Sequence, residues 1–143
     1  MQIPHDSFVL VADGRKSLFF RNEGDGAFPN LIVEEKEVDH NPAHSEQASD
    51  LAGHAANTLG SSMDEVDFHQ QEEDRFAADT AEMLKARALQ GDYEALVVVA
   101  PPRTLGELRK HYHKEVERRL LAEVPKDLVN MPVAEIEKVL QAQ

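Results

Sequence analysis

Between Arg103 and Arg119 the chain gathers Arg103, Arg109, Lys110, Lys114, Arg118 and Arg119 against Glu107, Glu115 and Glu117. That stretch carries +3 in a chain of net charge −12, so the remainder carries −15. His111 and His113 add charge at mildly acidic pH. Read as one helix, Leu105, Leu108, Tyr112, Val116 and Leu120 form a buried stripe, and Arg103, Lys110, His113 and Lys114 cluster away from it. Such a face suits phosphate, RNA or an acidic protein surface. It also suits a solvated face with local ion pairs, such as Glu115 with Arg119 at i, i+4. No aromatic residues are interleaved for base stacking.

The junction before this stretch is the more specific feature. Ala95–Ala100 (ALVVVA) reads as a strand, ended by Pro101-Pro102. Arg103 and Thr104 then lie beyond the carboxyl end of that strand, at a helix start. Ligands of open α/β sheets favour that position, and free N–H groups there attract anions. Thr104 with Glu107 has capping-box spacing, so Thr104 is expected to cap the helix. Arg103, Thr104, Arg109, Lys110, His113 and Lys114 are the candidate binding residues; Asp13, His69 and Arg75 are weaker candidates.

Other chemistries find little support. His111 and His113 would point about 200° apart on a helix and cannot share an ion. His40 and His44 flank Pro42, His69 precedes Glu72 and Glu73 only loosely like a ligand set, and no HExxH is present. There is no cysteine, which excludes disulfides, thiolate metal sites and cysteine nucleophiles. No G-x-S-x-G elbow, Walker A motif or dinucleotide fingerprint occurs. No cofactor or metal is expected.

Several elements must position the junction. Ser7–Ala12 is a strand, closed by the turn signal Asp13-Gly14, and Leu18–Phe20 a second strand forming a hairpin with Arg15 and Lys16 near its tip. Leu31–Val38 is a third strand whose charged half makes a solvated edge. Residues 39–67 form a long polar connection, with a short helix conceivable over 45–58. Asp67, with Gln70 in capping-box spacing, opens a helix carrying Phe76, Thr80, Met83, Leu84 and Ala88 on one face and ending at Gly91. The continuous apolar run Ala95–Ala100 implies a central strand buried on both faces. The basic helix runs to Pro125, Asp127–Met131 forms a final strand, and Pro132 opens a terminal helix with Ile136, Val139 and Leu140. These elements make a single α/β (α+β) domain: a mixed five-stranded sheet with helices packed on it.

Composition agrees. The chain has 143 residues, 41% hydrophobic and 29% charged, as expected for one domain with a real core. The N-terminus lacks a basic region and a long enough apolar run for a signal peptide. No stretch approaches the roughly 20 apolar residues of a membrane span. A cytoplasmic protein is expected. The acidic net charge argues against non-specific binding to nucleic acid or anionic membranes, while leaving room for a local basic patch.

Two stretches carry a family likeness: Gln70-Gln71-Glu72-Glu73-Asp74-Arg75-Phe76-Ala77 leading into Ala81-Glu82-Met83-Leu84, and Val98-Val99-Ala100-Pro101-Pro102-Arg103-Thr104-Leu105-Gly106-Glu107-Leu108-Arg109-Lys110-His111 followed by Lys126-Asp127-Leu128 and Pro132–Glu137. With Val11-Ala12-Asp13-Gly14, they resemble the bacterial host attachment protein family across nearly the whole chain. That family is similar to the central domain of the archaeal and eukaryotic peptide-chain release factor. The resemblance implies a mixed α/β fold and a link to ribosomes. The Gly-Gly-Gln loop that promotes peptidyl-tRNA hydrolysis in release factors is missing, and Asp50-Leu51-Ala52-Gly53-His54 stands where family members tend towards an arginine-rich Asp-Arg-Pro-Gly-Arg-like run. Release activity is therefore not carried over. The reading is a non-catalytic binding factor associated with ribosomes or RNA. Two alternatives are a protein-interaction module in attachment or stress physiology, with an acidic protein partner, and a small hydrolase of unknown substrate. The ligand and the oligomeric state are not legible in the residues.

Overall fold

The computed structural model describes residues 1–39 and 61–143, with side chains from Asp67 onward in its first helix. Strand β1 (Phe8–Ala12) and β2 (Lys16–Asn22) form the expected hairpin, and β3 (Leu31–Val38) pairs antiparallel with β2. Helix α1 (Ser61–Leu89) leads to β4 (Leu96–Val99), which lies parallel to β1. Helices α2 (Pro102–Arg109) and α3 (Lys114–Arg119) follow, then β5 (Leu120–Val124), parallel to β4, and α4 (Val133–Gln141). The result is a five-stranded mixed sheet of order β3-β2-β1-β4-β5, a single small α/β domain.

The two-residue alternation of the strands divides the core. Phe8, Leu10, Ala12, Phe19, Leu96 and Val98 face α1, α2 and α3, meeting Ala77, Ala81, Leu84, Leu105, Leu108 and Val116. Val9, Val11, Phe20, Val97, Val99 and Val124 face the other way and are covered by Ile3, Leu128, Val129, Ile136 and Leu140. All four residues of β4 are fully buried, as its apolar run requires. The hairpin tip is set by Asp13, whose Oδ1 accepts from the N–H groups of Arg15 (2.8 Å) and Lys16 (2.7 Å). Gly91, at φ 71°, adopts the left-handed conformation that stops α1.

Three expectations need correction. Helix α1 begins at Ser61, so Asp67 and Gln70 are interior residues and form no capping box; Gln70 Nε2 donates to Asp74 instead, at 2.7 Å. Glu72, Glu73 and Asp74 consequently lie well inside the helix, beyond the reach of its terminal dipole. The basic stretch is two helices. At Lys110 and His111 the chain closes with i→i+3 bonds to Glu107 and Leu108, and Tyr112 folds against the core beside Val116. His113 then restarts the chain: its Nδ1 accepts from the N–H of Glu115 at 3.0 Å. Finally, the last strand is Leu120–Val124, and Asp127–Met131 is irregular. Leu120 fits a helical stripe and a strand equally, which hid β5. Leu128 and Val129 are adjacent and both buried, a pattern a half-buried strand cannot give; a turn from Leu128 to Met131 inserts them into the second core layer. Residues 45–58 and 50–54 lie outside the described residues.

Among the described residues no helix is long and apolar enough to cross a membrane.

Candidate functional site

The parallel strands β1 and β4 end side by side, and the segments leaving them meet beneath α1. Asp13-Gly14 leaves β1. Pro101, Pro102 and then Arg103 and Thr104 leave β4. Helix α1 crosses so closely that a Cβ on Gly14 would sit 2.9 Å from Cδ of Glu73. Gly14, Gln70, Glu73, Arg103, Thr104 and Glu107 thereby line one small notch.

Its groups are unevenly satisfied. Helix α2 starts at Pro101 without any side-chain cap. Thr104 therefore sits in the first turn and does not cap it, a correction to the capping-box reading. Glu107 reaches forward to Lys110 at 2.9 Å, which removes the other half of that box. Proline lacks an N–H, so Pro102 costs nothing at the first helical position. The N–H groups of Arg103 and Thr104 are left as uncapped donors of the first turn. Arg103 is exposed, and among the described residues it has no ion pair. Opposite it, Gln70 Oε1 is buried with no hydrogen-bond partner. A buried acceptor left unmade costs about 1–3 kcal/mol. The notch thus offers a cation and helix N–H donors beside the carboxylates of Glu73 and Glu107. That mixture can hold a group that both accepts and donates; it is no pure anion cradle.

The other candidates are not gathered there. Arg109 turns to Glu123 on β5, Nε lying 3.0 Å from Oε1. Lys110 is held by Glu107, and His113 is committed to the start of α3. Lys114 is exposed, also without an ion pair among the described residues. Arg118 and Arg119 both pair with Glu115, at 2.9 and 2.7 Å, and Arg119 also donates to the carbonyl of Tyr93. The hydrogen bond from Arg119, helped by the charge of Arg118, holds the Glu115 carboxyl below its ordinary range. Of the six cations, Arg103 and Lys114 alone lack such a carboxylate partner among the described residues. The shared cationic face expected from one continuous helix is dissolved by the break at Lys110–His113.

The weaker candidates have structural duties. Asp13 holds the hairpin turn. His69 lies beside Arg15, Glu72 and Glu73 in a neighbouring pocket. Arg75 is 3.6 Å from Glu72 and lines a separate groove between α1 and β3. Among the described residues no cluster of three His, Asp or Glu side chains could hold a metal ion.

Two features carry no sequence motif. One is the Gln70 oxygen. The other lies at the opposite end of the sheet, where Arg21 and Arg87 stack 5.2 and 4.9 Å from the ring centre of Phe8. Both arginines reach Glu34 and Asp92, at 2.9 to 3.4 Å. The four residues are scattered along the chain, so nothing in their spacing announces the cluster.

A comparison with curated proteins found no match. Residues 6–140 match the family described as bacterial archaeo-eukaryotic release factor family 12. The match takes in the strand-Pro-Pro-Arg-Thr-helix junction, both parallel strands and all but the ends of the fold. It carries the release-factor half of the likeness and is silent on attachment to host cells. The chain belongs to bacterial archaeo-eukaryotic release factor family 12.

Proposed function

We propose that this protein is a non-catalytic binding factor of the translation apparatus, docking on ribosomes or RNA through Arg103 and Thr104 at the start of α2, with Lys114 at the start of α3 as a second, separate cationic contact. The observation that carries the reading is the family match over residues 6–140. Its non-catalytic character rests on the sequence, which has no Gly-Gly-Gln. The two cations without carboxylate partners supply the electrostatic contact, and the uncapped first turn of α2 adds N–H donors suited to a phosphate oxygen. Arg109 and Lys110 contribute less, because each already faces a carboxylate.

Co-sedimentation with ribosomes across a salt series tests it. Binding should be strongest at low salt, since each phosphate contact releases counterions. Reversing Arg103 and Lys114 to Glu should weaken it roughly tenfold and flatten the salt dependence. No association at low salt, or equal association by the reversed variant, refutes the reading.

A second reading has one specific observation behind it. Four of the six cations in the basic stretch are spent on the chain's own carboxylates, which weakens attraction to a polyphosphate. A protein-interaction role, in attachment or stress physiology, needs less free charge. Association that persists at high salt and after RNase treatment favours it.

A further inference from the structure

A groove of about 350 Å³ runs between the second half of β3 and the middle of α1. Its wall residues include Val38, Phe76 and Met83, all half-buried, so apolar surface is open to solvent along it. Thr80, bonded to Ser17 at 3.0 Å, is the buried polar residue among them. Glu37 on β3 and Asp79 on α1 flank the groove from its two sides. Neither has an ion pair with any described residue. That sets them apart from the acidic groups nearby. Glu34 and Glu35 on the same strand are taken by Arg21 and Arg87, Glu72 faces Arg75, and Glu82 faces Lys85.

We propose that the groove between β3 and α1, floored by Val38, Phe76 and Met83 and flanked by the carboxylates of Glu37 and Asp79, docks a basic peptide segment of a protein partner, an arginine or lysine side chain lying between the carboxylates and a neighbouring apolar side chain on the floor. Charge decides the occupant. The lining carries Glu37, Asp39, Glu72 and Asp79 against the one cation Arg75, so on a chain of net charge −12 it attracts a cation and repels a nucleic-acid backbone. Size agrees, because the volume suits one or two side chains and not a folded surface. The stems of arginine and lysine are apolar, so they cover Phe76 and Met83 while the head groups meet the acids. This surface lies on the β3 flank of α1, whereas Arg103 and Lys114 belong to the α2–α3 side, over β4 and β5. The two contacts are therefore separable, and the inference stands whether or not the chain binds ribosomes.

The test uses the full chain and a short fluorescent peptide of alternating arginine and leucine, followed by anisotropy at low and physiological salt. The expected result is saturable binding that Glu37→Lys with Asp79→Lys weakens by roughly tenfold or more. Glu94→Lys, an exposed charge away from the groove, should leave it unchanged. A peptide of alternating glutamate and leucine should not bind. Amide shifts in the unmodified chain should centre on Val38, Phe76 and Met83, which keeps the idea testable if a variant folds poorly. Binding unaffected by the double reversal, equal binding of the acidic peptide, or shifts centred elsewhere would each overturn it.

Discussion

The two ends of the parallel pair β1–β4 are built on opposite principles. At the amino end the charged groups are answered by one another, although the Ser7 hydroxyl is buried there without a hydrogen-bond partner. Arg21 donates to Glu34 and to the carbonyls of Asp6 and Asp92, Arg87 donates to Glu34, and both guanidinium groups cover Phe8. Tyr93 stacks on the same ring, 5.1 Å between centres, and donates to the carbonyl of Leu84 at 2.8 Å. At the carboxyl end α2 is uncapped, Arg103 has no carboxylate among the described residues, and Gln70 keeps a buried oxygen unbonded. Satisfied groups hold a fold together; unsatisfied ones have interaction energy left for something else. The difference is one of charge: the ion pairs gather at the amino end, and the carboxyl end keeps a cation without one among the described residues.

The sharpest way to break that contrast is Arg21→Ala. The Arg21 side chain is 11% exposed and bridges Glu34 and Asp92. Its loss leaves two carboxylates facing Arg87 alone, which should cost about 2 kcal/mol in urea unfolding, less than a fully buried pair because both acids remain partly solvated. A loss under about 0.5 kcal/mol would show the amino end to be decorative. Glu34 refines the point through pH. Burial pushes its carboxyl up, but the hydrogen bonds from Arg21 and Arg87 outweigh that and hold it below 4.5. A lowered folded value means stability that is present above the ordinary carboxylate range and lost as pH falls through the folded value. Glu34→Gln should therefore unfold with a shallower acid dependence than the parent below about pH 4.5. Identical acid profiles would mean that the arginines are not its partners in solution.

The same contrast explains what could be read from the residues. Five-stranded mixed topology followed from local signals: the period-two runs, Asp13-Gly14, Gly91, and Pro101-Pro102 after a fully apolar strand. The failures sit where one pattern obeys two periods. Leu105, Leu108, Tyr112, Val116 and Leu120 keep helical spacing straight through the break at Lys110–His113, because Tyr112 and Val116 face the core on either side of it. Arginine and glutamate counts also misled, since Arg109 finds Glu123 across fourteen residues and Arg87 finds Glu34 across fifty-three. Charge along the chain is not charge on the surface. The basic stretch proves largely self-neutralised, while the acidic groove at Glu37 and Asp79, unremarkable in the residues, keeps its charge.

Tyr93→Phe is the next largest test. It keeps the stacking on Phe8 and removes only the hydroxyl, so the loss should be about 1 kcal/mol at neutral pH. Burial pushes the Tyr93 hydroxyl up from 10.0 to about 12. Here the folded state favours the neutral form, so the unfolded chain ionises first and stability falls as pH rises from 10.0 towards 12. The phenylalanine variant lacks that step. Its urea midpoint should therefore approach the parent's on the alkaline side, and a gap that stays constant with pH would show the hydroxyl to be solvated.

The smallest effect should have the opposite sign. Gln70→Met removes the unbonded oxygen at the open end and also the donor to Asp74. Relief of a buried unmade acceptor is worth about 1–3 kcal/mol, and the lost bond to a carboxylate about 1.5 kcal/mol, so the balance should lie near +0.5 kcal/mol of stability. A substitution that stabilises the carboxyl end while weakening ribosome association would mark Gln70 as a residue whose unmet hydrogen bond serves binding. A destabilisation above about 1 kcal/mol would instead make the amide a structural member of α1. The contrast between the two ends would then rest on Arg103 and the uncapped turn of α2.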